Sequence, residues 1–459
     1  MTEHPGDAAV PGHGVSLRTA VRVWAYIGVN SFGGPAGQIA VMHREIVERR
    51  NWVSERRFLH ALNYCMVLPG PEAQQLATYV GWLMHGVRGG VFAGSLFVIP
   101  GFVAMLALSV MYAVFGQVTW VSGLLFGIQA AVVAIVVEAV IRIGRRTLRS
   151  SALRIIAGLS FLAIFFVNVP FPLIILVAGL FGWFAGRSRP QWFPLGRHGR
   201  ETNDLEPKSL LADDEHISRA ASRSALRAAG IALVLWMIPV IGLVVLLGTS
   251  NIFTQEALLF SKAAVVTFGG AYAVLGYVAQ QAVDRYGWVT PNDMITGLGL
   301  AETTPGPLIM VVQFVGFLAA YNNPGSLPPL LAGFLGSVIT VWVTFVPCFL
   351  FIFLGAPWVE RLRDNHSLRH ALTAIGAAVA GVVLNLAVWF ALHTMFGTVT
   401  DETVGPFHLS VPEWSSIQYA SIAISLVAAV LVFRVKVGTL KVLAVSAALG
   451  TAVALLSLT

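Results

Sequence analysis

The sequence predicts an all-α polytopic membrane protein, made of two inverted-topology repeats whose helices are broken or re-entrant at paired FGG and PGP motifs. Three observations carry this expectation. Of 459 residues, 56% are hydrophobic and only 11% charged, against about 25% charged in a typical soluble domain. Stretches such as 90–115, 119–141 and 367–394 each exceed the roughly 18–20 apolar residues that span a hydrocarbon core. Finally, the order Phe-Gly-Gly, Trp-Val-Ser/Thr, Pro-Gly-Pro occurs twice in the chain.

The duplication can be followed in register. Phe32 to Phe268, Trp52 to Trp288 and Pro69 to Pro305 are each shifted by 236 residues, and Pro100 to Pro347 and Ala130 to Ala377 by 247. The 11 additional residues fall near YNNPGSLPP (321–329), after which IQAAVVAIVV (128–137) aligns with IGAAVAGVVL (375–384). Four units follow in order. Residues 1–16 carry Glu3, Asp7 and no apolar run, so they read as a cytoplasmic tail and not a signal peptide. Residues 17–185 form the first repeat and 186–227, rich in Arg, Asp, Glu and Pro, a cytoplasmic linker. Residues 228–459 form the second repeat, opened by a crossing at 228–248 that has no counterpart in the first.

Within the first repeat, 17–31, 35–48, 54–68 and 71–86 are short segments. At about 14–16 residues each they reach only about 21–24 Å, less than the roughly 30 Å core. Segments 90–115 and 119–141 are full crossings, and 151–168 with 170–186 make a hairpin that returns to the linker. In the second repeat the later crossings are 328–356, 367–394, 414–433 and 437–458.

Charge sets the orientation, because Lys and Arg mark the cytoplasmic side. Loop 44–57 has five arginines against three glutamates, while its counterpart 284–293 has Asp284, Arg285 and Asp293. Loop 142–154 has five arginines and no acid; its counterpart 391–413 has Asp401, Glu402 and Glu413 with no Lys or Arg. The bias reverses at 115–120, which is uncharged, against 357–370, which carries Arg361, Arg363 and Arg369. Equivalent loops therefore face opposite sides, and the unmatched crossing at 228–248 supplies the flip. The basic turn with Arg434, Lys436 and Lys441 then falls inside.

Proline cannot continue a helix but starts one well. Each FGG and PGP is thus expected to break a helix at membrane depth and open a new one. Broken backbone is not tolerated against lipid, so the breaks should be buried or line a watery cavity. Helix N-termini with free N–H groups attract anions. Polar residues cluster there: Asn30, Ser31 and Gln38 around the first FGG, Gln74 and Gln75 after the first PGP, Thr267 before the second FGG, and Thr303 and Thr304 before the second PGP. Glycine also serves close helix packing, so one FGG alone would say little. Matched pairs at the same 37-residue spacing in both halves, 32 to 69 and 268 to 305, favour a two-fold substrate site.

Ionisable residues in the apolar segments are few, and such groups default to functional hypotheses. Lys262 is expected either to face an anion or to pair with Glu302 or Glu72. Glu72 and Glu302 are candidates for proton coupling or an ion pair, although an acid at a helix start also serves capping alone. Glu138 reads as interfacial. His60 and His85 read as packed or interfacial, and Cys65 and Cys348 as small core residues without a disulfide.

These motifs have a family likeness. FGGPAGQIAVMHREIVERRNWVSERRF followed by LPGPEAQQLATYVG, repeated in weaker form as FGGAYAVLGYVAQQAV and TTPGPLIMVVQFVGF, resembles the chromate ion transporter family in its long, two-domain form. The resemblance covers nearly the whole chain outside the tail and linker. It implies export of chromate across the bacterial cytoplasmic membrane, chromate resistance, and sulfate as the look-alike competitor. The motif positions carried over are Phe32, Gly33, Gly34, Pro35, Gln38, Pro69, Gly70, Pro71, Glu72 and Gln75, then Lys262, Phe268, Gly269, Gly270, Pro305, Gly306 and Pro307. Ala271 replaces the proline found at position 35, so the two breaks need not be equivalent.

The resemblance implies a carrier and not an enzyme. No P-loop, HExxH, CxxC or dinucleotide fingerprint occurs, and no cofactor or metal is expected. The expected partners are chromate, the lipid bilayer and, in a homodimer, a second copy; nucleic acid is not among them. Competing readings are a sulfate- or molybdate-type importer and an anion channel of the same fold.

Overall fold

The computed structural model describes residues 14–194, 219–268, 270–356, 365–405 and 407–456. Most of the expected tail and linker, Gly269, and the loop arginines Arg361 and Arg363 lie outside the described residues. The first half comprises α1 (Leu17–Asn30), α2 (Gly34–His43, continued by a π turn Arg44–Glu48), α3 (Glu55–Cys65), α4 (Glu72–Phe115), α5 (Thr119–Thr147), α6 (Ser151–Val167) and α7 (Phe171–Ser188). Helix α8 (Arg219–Leu247) leads into the second half. There follow α9 (Ile252–Val266), α10 (Ala271–Ala279, continued by a π turn Gln280–Arg285), α11 (Pro291–Thr303) and α12 (Val311–Asn322, after a 3-10 turn Leu308–Met310). The chain closes with α13 (Pro329–Gly355), α14 (His366–Met395), α15 (Tyr419–Val430) and α16 (Thr439–Leu456). Seven of these helices, α4, α5, α7, α8, α13, α14 and α16, are long and apolar enough to cross a membrane.

The repeated Trp-Val-Ser/Thr encodes a helix start. Ser54 Oγ accepts the Arg57 N–H at 3.1 Å, capping α3. Thr290 Oγ1 accepts the Asp293 N–H at 3.2 Å, and Asp293 Oδ2 accepts the Thr290 N–H at 2.8 Å, a reciprocal capping box on α11. Just before each cap the chain leaves its π turn in the same way. The Trp52 N–H donates to the Ile46 carbonyl at 2.9 Å and the Trp288 N–H to the Ala282 carbonyl at 2.8 Å.

Helix α4 is two helices in one continuous run. His85 (φ −134°, ψ 26°) and Gly86 (φ 59°, ψ −154°) leave helical geometry. The chain folds back there so tightly that a Cβ on Gly89 would lie 2.2 Å from the Gly81 carbonyl oxygen. In the second half the matching reversal is the open loop 323–328 between α12 and α13, where the sequence carries its additional residues.

Helices α5 and α14 form the centre, and each is covered by the last helix of the other half: α16 packs on α5 and α7 on α14. Small residues permit the approach. A Cβ on Gly127 would lie 1.9 Å from the Ser446 carbonyl oxygen, and one on Gly182 would lie 2.6 Å from Ala374 Cβ. Outward faces remain apolar, with Ile155, Leu159, Ile238 and Leu246 all exposed.

One element was not foreseen. Val399–Val404 and Phe407–Pro412 form an antiparallel hairpin, with Val399 opposite Pro412 and Val404 opposite Phe407, in a stretch read as an irregular acidic loop. Cys65 and Cys348 are buried and unbonded to each other, as expected of small core residues.

Candidate functional site

The four breaks meet in two cross pairs. The Gly306 N–H donates to the Ser31 carbonyl at 3.0 Å, and the Gly70 N–H donates to the Thr267 carbonyl at 2.8 Å. Positions 31 and 267, like 70 and 306, are 236 apart, so one hydrogen bond is made twice with the halves exchanged. Local bonds repeat too: Ser31 Oγ donates to the Ile27 carbonyl at 2.7 Å and Thr267 Oγ1 to the Ala263 carbonyl at 2.5 Å. Each FGG break is thereby fastened to the PGP break of the opposite half.

The PGP breaks rest on helices that carry a proline at the point of contact. A Cβ on Gly70, where φ is +125°, would lie 2.9 Å from Cys348 Sγ on α13; one on Gly306, where φ is +89°, would lie 3.2 Å from Gly101 Cα on α4. Gly101 and Cys348 each follow an in-helix proline, Pro100 and Pro347. Left-handed backbone and contact this close together require glycine.

The sequence-predicted residues largely converge here. Ser31, Gly34, Gln38, Gly70, Pro71, Gln74, Gln75, Thr267, Thr304, Gly306 and Pro307 are buried; Phe32, Gly33, Pro35, Pro69, Phe268, Gly270 and Pro305 are partly buried. Asn30 is exposed, its amide donating to the Tyr26 carbonyl at 2.8 Å.

Three of these polar side chains are already engaged with backbone carbonyls. Gln38 Nε2 donates to the Gly306 carbonyl at 2.5 Å and Gln75 Nε2 to the Pro69 carbonyl at 2.6 Å, while Ser31 bonds back along its own helix. A buried backbone carbonyl left by a broken helix needs a donor, and these side chains supply it. The amide oxygens of Gln74 and Gln75 are buried without a partner beside the first PGP.

Lys262 departs from the ion pair that was one of its two expected roles. It is exposed on α9 and forms no ion pair with Glu302 or Glu72. Helical phase explains this: Phe260, Ala263 and Ala264 hold the buried face, and Lys262 shares the outward one with Val265.

Other charges reach the breaks instead. Glu302 is buried at the end of α11 and accepts the Tyr272 hydroxyl at 2.5 Å. Its two carboxyl oxygens lie 3.9 and 4.0 Å from where a Cβ on Gly34 would begin, at the start of α2. The carboxyl thus occupies a helix N-terminus, which favours negative charge. Arg142 acts on Glu302 electrostatically and is ion-paired to Glu138 at 3.3 Å. One turn along α5, Arg146 acts on Glu72. Glu138, read as merely interfacial, therefore belongs to this charged group. Arg142, Arg146 and Tyr272 were missed as site residues; the i, i+4 spacing of two arginines ending an apolar helix was the available signal. No group of three or more His, Cys, Asp or Glu able to hold a metal occurs among the described residues.

A multi-pass all-α membrane body with interrupted helices paired at its centre has the architecture of a secondary transporter. The chain belongs to the chromate transporter family: the family described as Chromate transporter matches residues 19–183 and 254–451. The chromate transport protein of Pseudomonas aeruginosa is 32% identical over 362 residues, 78% of this chain and 76% of its own length. That of Cupriavidus metallidurans is 25% identical over 381 residues, 83% of this chain and 84% of its own. A Bacillus subtilis relative, the uncharacterized transporter YwrA, is 27% identical over 154 residues, 33% of this chain but 86% of its own. No solved structure matches the chain.

Proposed function

We propose that the protein exports chromate across the bacterial cytoplasmic membrane by alternating access, with its tail and linker cytoplasmic and its two repeats oppositely oriented. The observation carrying this reading is the exchanged pair of hydrogen bonds, Gly306 to Ser31 and Gly70 to Thr267. Two breaks that hold each other across a pseudo-two-fold axis suit a site that opens first to one side and then to the other. The loop charges support the opposite orientation, and the Bacillus subtilis relative, matched over 86% of its own length by 33% of this chain, supports two homologous units.

In this mechanism a tetrahedral dianion approaches the N-termini of α2 and α4, drawn by Arg142 and Arg146. It competes with the Glu302 carboxyl for the start of α2, so Glu302 rotates away before the dianion settles. Reorientation of the Gln74 and Gln75 amides turns N–H groups toward the substrate. Each charge crossing 100 mV is worth about 2.3 kcal/mol, so a dianion leaving an inside-negative cell gains roughly 4.6 kcal/mol.

The test is chromate flux in everted vesicles with an imposed potential and sulfate as competitor. Export predicts accumulation inside the vesicles, faster when the interior is positive and reduced by sulfate. Flux only in the opposite sense with an obligatory cation gradient would mean an importer, and unitary currents would mean a channel.

A further inference from the structure

Glu256 lies on α9, away from the paired breaks. Its side chain is completely buried, and neither carboxyl oxygen has a hydrogen-bond partner. It abuts the crossing of α12 and α13: a Cβ on Gly336 would lie 3.1 Å from Glu256 Oε1 and 2.5 Å from the Gly316 carbonyl oxygen. Thr340, one turn beyond Gly336, lies at the same crossing, its Oγ1 2.2 Å from where a Cβ on Gly316 would be. The hydroxyls of Thr340 and neighbouring Ser337 are also buried and unpartnered.

A carboxylate buried without a cation or donor is among the costliest arrangements a protein can hold, and it resolves by neutralisation. The titratable groups on elements packed against α9 are Arg223 and Arg227 of α8, Tyr321 of α12, Cys348 of α13 and Tyr272 and Tyr277 of α10, with Lys262 on α9 itself. None of them forms an ion pair with Glu256. A crossing this tight has no room for a hydrated metal ion, whereas a proton needs none.

We infer that Glu256 is a proton-binding site that empties and refills during the transport cycle. Helix α9 ends at Val266, and the next residue, Thr267, carries the carbonyl that clasps Gly70. Movement of that break drags α9 along α13, opens the Gly316–Gly336 crossing to water and lets the hydrated carboxyl ionise. Return of the helix restores the dry contact and recaptures a proton. The position 236 residues earlier is Ala20, buried and not ionisable, so the chain carries this site once. The inference deepens the transport reading given above and rests on it only for the coupling to substrate.

Infrared spectroscopy of the purified full chain in lipid nanodiscs tests it. The substrate-free protein at neutral pH should show a protonated-carboxyl band that vanishes in Glu256→Gln and persists well above the ordinary glutamate range on titration. Chromate added to weakly buffered protein should diminish the band and release protons, read with an indicator dye, while Glu256→Gln binds chromate without that release. Absence of the band in the wild type, or equal proton release from the variant, would overturn the inference. If Glu256→Gln fails to fold, the wild-type titration and the shifted band of Glu256→Asp decide it. Absence of chromate binding to the wild type would defeat the transport reading instead, leaving the substrate-free band to decide the proton site.

Discussion

Gly70 and Gly33 show how differently two glycines of one motif set are constrained. A Cβ on Gly70 would lie 2.7 Å from Gln75 Nε2 as well as against Cys348, whereas one on Gly33 meets nothing within 4 Å although φ is +82° there. Gly33→Ala should therefore lose about 1 kcal/mol from its backbone alone. Gly70→Ala adds overpacking of about 1–3 kcal/mol and should abolish flux; thermal unfolding in detergent and vesicle assays would separate the two. Glu302→Gln removes the charge that competes for the start of α2. Dianion affinity should rise by about tenfold, a change of about 1.4 kcal/mol, because water screens this buried charge little; equilibrium binding measures it. Asp284, within the π turn that continues α10, is pushed up to about 6 by desolvation and by the nearby charge of Asp401. An acid whose folded-state value is raised stabilises the fold fully at low pH and loses that contribution as pH climbs through about 6. Its side chain keeps solvent contact, so the effect is small. Asp284→Asn should flatten the fall in melting temperature between about pH 4 and about pH 7, a range that brackets the value of about 6.

At the scale of helices, glycine separates contact from exposure. Gly127 of α5 touches α16, while Gly158 of α6 has open space where a Cβ would go. Gly127→Ala should destabilise by about 1–3 kcal/mol, and Gly158→Ala should stabilise by up to about 1 kcal/mol, both read from thermal unfolding. The helix boundaries were legible because their signals are local: proline and glycine at the breaks, and Ser54 and Thr290 as caps. The reversal at His85–Gly86 was legible as two segments, though not as a turn this tight, since a single glycine carries it. The hairpin 399–412 escaped notice because short β-branched runs beside a membrane segment read as loop. Lys262 was misjudged because nearness along the chain to Phe268 was weighed without helical phase. Arg142 and Arg146 were seen as a topology signal, and only packing of α5 on α11 and the first PGP brings them to the acids. Three-dimensional convergence of this kind has no periodic signature in one sequence.

For the whole molecule, the opposed orientation proposed for the two halves makes a direct prediction. Cys65 and Cys348 are fully buried, so the native chain should resist a membrane-impermeant thiol reagent. Arg149→Cys, in the basic turn before α6, should label only from the cytoplasmic side, and Thr403→Cys, on the exposed hairpin strand, only from outside. Labelling of both from one side would refute the inversion. The reciprocal fastening of the breaks has a mechanical consequence. Each half's glycine-proline corner is held by one bond to the other half, so any shift of one half against the other loads both seams at once. On the alternating-access reading proposed above, a carrier seamed in this way keeps one door closed while the other stands open, and the cell's voltage has no path to drain through.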